Sequence, residues 1–118
     1  MNFNYVPEQQ DIIWINFQPS KKNEIGGGRH PAVVLSTSGY TAVTGLVAVS
    51  PITHATDNRL KEMVVPIKSD FGIEGFVNPL QFHTFSVIGR HVEYAGGLLD
   101  DASFAVVLKV HQQILNSI

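Results

Sequence analysis

Glu24-Ile25-Gly26-Gly27-Gly28-Arg29-His30-Pro31-Ala32-Val33-Val34-Leu35-Ser36 runs from a polar, glycine-rich loop straight into an apolar, β-branched segment. Three consecutive glycines reach backbone angles closed to other residues and let a ligand or another backbone approach. Pro31 fixes its own φ and pushes His30 toward an extended conformation, so Ala32–Ser36 reads as a strand. An arginine and a histidine are thus displayed where a loop meets a strand, a frequent place for function. The same spacing also suits a solvated loop with two incidental polar side chains.

Working upstream, Asp11-Ile12-Ile13-Trp14-Ile15-Asn16-Phe17 reads as a first strand. Ile13, Ile15 and Phe17 share one face and Ile12, Trp14 and Asn16 the other, so the strand wants cover on both sides. Gln18-Pro19-Ser20 ends it, and residues 18–30 form a connection long enough to suggest function.

Downstream, Thr37–Thr44 reads as a turn-rich link and Leu46–Ser50 as a third strand, closed by Pro51-Ile52-Thr53-His54. Ala55–Lys61 is a polar loop. Glu62–Ile67 reads as a fourth strand, placed on an edge by Pro66. After a turn over Lys68–Ile73, Gly75–Val77 and Gln81–Ile88 follow as strands, broken by Asn78-Pro79, and Gly89-Arg90-His91 bends away. The one strong helical pattern runs from Ala102 to about Ser117, with Asp100 or Asp101 as N-cap. Phe104, Val107, Leu108, His111, Ile114 and Leu115 recur there at helical spacing, His111 reading as a packed or rim histidine. Short strands followed by one helix indicate a mainly β fold, a small twisted sheet or barrel, rather than alternating β-α units.

A chain of 118 residues fits a single domain, 1–118, able to bury its own core. With 44% hydrophobic and 15% charged residues it belongs with folded globular chains. It has no cysteine, which excludes disulfides and thiolate zinc sites and suits a reducing cytoplasm. Met1–Glu8 lacks the basic flank and apolar core of a signal peptide, and no apolar run approaches the roughly 20 residues of a membrane span. The net charge of −2 weighs mildly against a nucleic-acid binder, although Lys21, Lys22 and Arg29 fall together in one loop.

The five histidines are scattered and none has paired-ligand spacing, so no metal site is expected. No phosphate-binding Gly-x-x-x-x-Gly-Lys loop occurs, and neither Ser36 nor Ser50 lies in a nucleophile elbow. What remains can handle a phosphodiester. Arg29 can pair with phosphate oxygens and stabilise charge on phosphorus. An imidazole such as that of His30 gives or takes a proton. Glu24 can act as a base and Thr53 can donate to a non-bridging oxygen. Attack by a ribose 2′-hydroxyl on the neighbouring phosphate needs this set and no metal. Taken singly, Glu24 equally reads as a solvated acid and Thr53 as a strand-end hydroxyl bonded to its own backbone.

Over nearly its whole length the chain resembles the MazF/PemK family of toxins from bacterial toxin–antitoxin pairs. Tyr5-Val6-Pro7 and Asp11–Lys21 are similar to the family's opening strand and Pro-Thr-Lys loop. Glu24 and Arg29-His30-Pro31-Ala32-Val33-Val34-Leu35-Ser36 resemble its Arg-Pro-Ala-Val-Val-Leu-Ser block. Tyr40, Thr44-Gly45-Leu46 and Val49-Ser50-Pro51-Ile52-Thr53 resemble the next strand and its Pro-x-Thr end. Gly75 with Gln81-Phe82-His83-Thr84 resembles a Gly…Gln-x-basic-Ser/Thr pattern. The order and spacing of these motifs are specific where each alone is modest.

The resemblance implies a small SH3-like barrel with a C-terminal helix, forming a homodimer. It implies a metal-independent, cofactor-free endoribonuclease that cuts single-stranded RNA at short sequences and leaves 2′,3′-cyclic phosphate and 5′-hydroxyl ends. It implies an antitoxin whose disordered tail occupies the RNA groove. Arg29 and Thr53 would be catalytic, with Glu24 and His30 contributing; Lys21, Lys22, Arg29, Gln81, His83 and Thr84 would contact RNA.

Two positions depart from the family pattern. His30, not Arg29, directly precedes Pro31, and neighbours in an extended segment point to opposite sides. Either the triple glycine lets Arg29 swing in, or His30 replaces it and the chemistry shifts toward acid–base work. Leu80 stands where many relatives carry an acid. The competing expectation is a binding module on the same barrel that engages RNA, an antitoxin or a gyrase-type partner without cutting, since fold does not settle function.

Overall fold

The computed structural model describes residues 4–17, 29–54, 64–67 and 72–116. They form β1 (Asp11–Asn16), β2 (Arg29–Val34), α1 (Ser38–Thr44), β3 (Leu46–Thr53), β4 (Val65–Ile67), β5 (Gly75–Val77), β6 (His83–Ser86), β7 (Glu93–Leu98) and α2 (Asp101–Asn116). The strands make one curled antiparallel sheet in the order β4-β5-β3-β2-β1-β7, with β6 also on β3. The expected mainly β architecture, a small barrel-like sheet with a C-terminal helix, is what the chain adopts, the sheet curling into a half-barrel.

β3 organises the sheet. Along one edge Ala32–Val34 of β2 pair with Val49–Pro51. Along the other, Leu46–Val49 pair with β6 and Ile52–Thr53 with β5. The strand therefore runs through Pro51 instead of closing there. Proline has no N–H to offer a ladder, and Pro51 falls where the edge partner changes from β6 to β5. Among the described residues β4 pairs with β5 alone, so Pro66 does sit at the end of the sheet.

β1 is covered on both faces, as its alternation requires. Ile12, with Trp14 beside it, joins Val33, Ile52, Val77, Leu99, Phe104 and Val107 in one core cluster. Ile13 and Ile15, with Phe17 beside them, join Ala32, Val34, Val47 and Val49 in the other. α2 closes the first cluster. Asp100 caps it, accepting from the Ser103 N–H at 3.0 Å through Oδ2 and from the Phe104 N–H at 2.9 Å through its carbonyl. Phe104, Val107 and His111 are buried, but Ile114 and Leu115 project outward, so the apolar stripe is shorter than its periodicity suggests.

Two elements are hidden from pattern reading. Residues 38–44, expected as a link, form a helix capped by Thr37 Oγ1, which accepts from the Tyr40 N–H at 3.3 Å, and ended by Gly45 at φ 74°. β7 contains Gly96-Gly97, which carry no side chain to pack, and a bulge between Ile12 and Ile13 of β1 absorbs its register. β6 is shorter than expected: Gln81 and Phe82 belong to a loop, and Val87–His91 turn.

Candidate functional site

Arg29 and His30 begin β2, opposite Asn16 and Ile15, and both are exposed. Alternation sends them apart. Arg29 turns to the Trp14 side, its guanidinium 5.6 Å from the indole centroid, and Nη1 donates to Glu93 Oε1 of β7 at 3.0 Å. That hydrogen bond and charge hold the Glu93 carboxyl below the usual carboxylate range. His30 turns to the Phe17 side, with ring centroids 5.9 Å apart.

Thr53 ends β3, opposite Phe76. Its backbone is pressed against Gly75, where a β-carbon would fall 2.6 Å from the Thr53 carbonyl oxygen. Gly75 also lies at φ 136°, so glycine is required twice over. His83 opens β6 opposite Val49, stacks on Phe85 at 5.5 Å and meets Phe17 edge-on at 5.9 Å. Arg90 lies over the other end of this aromatic row, 4.6 Å from the Phe85 centroid, and donates to the Phe17 carbonyl at 2.6 Å.

Two adjoining cavities result. One, of about 470 Å³, is lined by Trp14, Arg29, His30, Thr53 and Glu74 among others. The second, of about 370 Å³, is lined by Phe17, His30, Thr53, Asn78, Gln81 and His83 among others. His30, Ile52 and Thr53 line both. The two halves are one groove with His30 and Thr53 at its middle, Arg29 at one end, and Gln81 and His83 at the other. Arg29 and His30 leave β2 on opposite sides, yet both line the half bounded by Trp14 and Glu74.

Thr84 is exposed on β6 opposite Ala48 and is absent from the lining of either half. Lys21, Lys22 and Glu24 lie outside the described residues. Trp14, Phe17, Asn78, Glu74 and Glu93 are groove or near-groove residues that sequence reading does not single out. Trp14 and Phe17 carry a partial signal, being large aromatics at the loop end of a strand; Glu93 carries none, because its partner is 64 positions away. Among the described residues no three His, Asp or Glu side chains converge as metal ligands, and no helix is long and apolar enough to cross a membrane.

The groove therefore combines cationic and imidazole groups, a hydroxyl and half-buried aromatic rings, a set suited to a phosphodiester flanked by bases. Residues 8–115 match the model of PemK-like, MazF-like toxins of type II toxin–antitoxin systems. The chain belongs to that family. It is 47% identical over 61 residues to the endoribonuclease toxin MazF of Escherichia coli strain K12, a match covering 52% of this chain and 54% of that protein. The chain thus spans about half the length of that relative. The fold also matches a crystal structure of MazF from Deinococcus radiodurans, with a TM-score of 0.80 and 28% identity over 96% of this chain and 99% of that one. A MazE–MazF structure from the same organism matches with TM-score 0.80 and 28% identity, over 95% of this chain and 98% of the other.

Proposed function

We propose that this protein is the toxin of a type II toxin–antitoxin pair, a metal-independent endoribonuclease that cuts single-stranded RNA at short sequences. The reading is supported most by one observation: His30 and Thr53 line both halves of a groove that has Arg29 at one end and Gln81 and His83 at the other.

In this reaction the 2′-oxygen bonds to the adjacent phosphorus and the bond from phosphorus to the 5′-oxygen breaks. The 2′-proton passes to a base, His30 or Glu24, and the departing 5′-oxygen takes a proton. The products are a 2′,3′-cyclic phosphate and a 5′-hydroxyl. Thr53 donates to a non-bridging oxygen and Arg29 stabilises the charge that develops on the phosphoryl group. Gln81, His83 and the Phe17 ring receive bases by hydrogen bonding and stacking. Lys21, Lys22 and Thr84 add further contacts to the RNA.

The similarity to a MazE–MazF structure supports an antitoxin partner, and in this reading the antitoxin's disordered tail would fill the groove. Exposed Ile88, Tyr94 and Leu98 offer apolar surface for a homodimer. The absence of cysteine fits work in the cytoplasm. One observation favours the rival, a module that binds without cutting: Arg29 is already engaged by Glu93 and Trp14.

The test is incubation of a long, mixed-sequence single-stranded RNA with the purified protein in EDTA. Discrete cuts bearing cyclic phosphate ends are expected. Folded protein that binds the RNA and leaves it intact would transfer the assignment to the binding module.

A further inference from the structure

The far wall of the groove is a loop, and the core beneath it is polar where a core is ordinarily apolar. Ile52 pairs with Val77 and Val49 with His83, so the five residues Asn78–Phe82 stand opposite only Ser50 and Pro51. The surplus must leave the ladder. At its start the loop is tied by the Asn78 N–H, which donates to the Pro51 carbonyl at 2.9 Å, and by Asn78 Oδ1, which accepts from the Leu80 N–H at 3.1 Å.

Beneath it lies a second fastening. Ser50 is fully buried and its hydroxyl donates to the Gln81 carbonyl at 2.8 Å. The same oxygen lies 3.1 Å from Nε2 of His111, a buried residue of α2. The His111 ring also hydrogen-bonds the Pro79 backbone and meets the Phe82 ring edge-on, with centroids 5.0 Å apart. Pro79, Gln81 and Phe82 are thus each held by one buried serine or one buried imidazole.

A buried polar pair satisfied by nearby carbonyls can be nothing more than a tidy core. The positions argue for more. His111 continues the buried stripe of Phe104 and Val107, where an aliphatic side chain would avoid the desolvation that a buried imidazole suffers. What the imidazole and serine gain is contact with the backbone of the one loop that carries Gln81 into the groove.

We propose that Ser50 and His111 are positioning residues that fix the path of the Asn78–Phe82 loop and so present the Gln81 side chain to RNA. The fastening stands on geometry alone, while its consequence for RNA rests on the ribonuclease reading. Through it the C-terminal helix sets the shape of a groove it does not line.

Two measurements test this. The first is hydrogen exchange of the wild type, Ser50→Ala and His111→Gln at the loop amides. Faster exchange confined to Asn78–Phe82, with β1 and β2 unchanged, is expected; unchanged loop exchange in Ser50→Ala overturns the fastening, whatever the protein does to RNA. The second is a double-mutant cycle in RNA cleavage. Losing one hydrogen bond to the Gln81 backbone is expected to lower kcat/KM about fivefold in Ser50→Ala. In a Gln81→Ala background the same change should cost less than about twofold, because the side chain being positioned is gone. Equal losses in both backgrounds, or a lowered Tm with unchanged kcat/KM, would overturn the positioning role. An intact RNA with wild-type protein would instead count against the ribonuclease reading, leaving the exchange result to decide the fastening.

Discussion

Arg29 Nη1 and Glu93 Oε1 are 3.0 Å apart, joining the first residue of β2 to the first residue of β7 across the end of β1. The pair is exposed, with 41% and 62% of the two side chains open to solvent, so it contributes little to stability. Its importance lies in where it parks the guanidinium.

Glu93→Gln should leave Tm unchanged and release Arg29 from the groove's end toward its middle. Binding of single-stranded RNA should tighten a few-fold, and the slope of log K against log salt should steepen by about 0.7 for one added phosphate contact. The Arg29 hydrogen bond, with its charge, holds the Glu93 carboxyl below its usual range, so the pair is intact above that range and is lost as pH falls through the depressed value. The wild type should therefore approach the Glu93→Gln affinity only as pH falls below the usual carboxylate range. Fluorescence anisotropy across salt and pH checks both.

Gly75→Ala should damage the groove more than the fold. The new β-carbon would meet the Thr53 carbonyl at 2.6 Å, and the residue would have to hold φ 136°, which side-chain-bearing residues rarely adopt. A stability loss of roughly 1–3 kcal/mol is expected from the strained backbone. Cleavage should fall by a larger factor than partial unfolding explains, because Thr53 moves. Denaturant melts beside initial rates separate the two effects.

His111 gives stability a pH dependence of known sign. Burial pushes its imidazole below the ordinary value of 6.5, and the hydrogen bond to Pro79 only partly offsets this. The unfolded chain then binds the proton at higher pH than the folded one, so stability rises with pH through that range and falls on acidification. Thermal melts from about pH 7.5 to about pH 5.5 should show a declining Tm, and His111→Gln should show a shallower decline.

Tyr5 and Asp11 form the other polar anchor. The Tyr5 hydroxyl donates to Asp11 Oδ2, which also accepts from the Glu8 N–H at 3.0 Å. Burial, followed by the hydrogen bond to and charge of the Asp11 carboxylate, pushes the Tyr5 phenol well above its ordinary value, which favours its role as a donor. Tyr5→Phe leaves a buried carboxylate short of one partner and should cost about 1.5–3 kcal/mol, measured by urea unfolding.

The parts of the fold legible in the sequence are those where one residue's pattern is its own explanation. β1 announces cover on both faces through Ile12, Ile13 and Ile15, and Pro66 announces an edge. β7 does not, because Gly96-Gly97 pack through partners supplied by β1, and α1 does not, because a short helix held by a Thr37 cap and Gly45 looks like a turn. The groove was half visible. Arg29, His30, Thr53, Gln81 and His83 carry chemistry in their residue types, and the chain brings them together. Glu93, Ser50 and His111 act through neighbours 64, 31 and 61 positions away, and no local pattern encodes such a partner.

The most direct measurement is single-turnover cleavage of one RNA by Thr53→Ala, His30→Ala and Arg29→Ala beside the wild type, all in EDTA. The account predicts wild-type cleavage leaving cyclic phosphate ends. Losses of about 10²-fold or more are expected for Thr53→Ala and His30→Ala, the two polar residues that line both halves of the groove. Full activity in both variants would contradict it, because the cutting would then belong to some other part of the molecule.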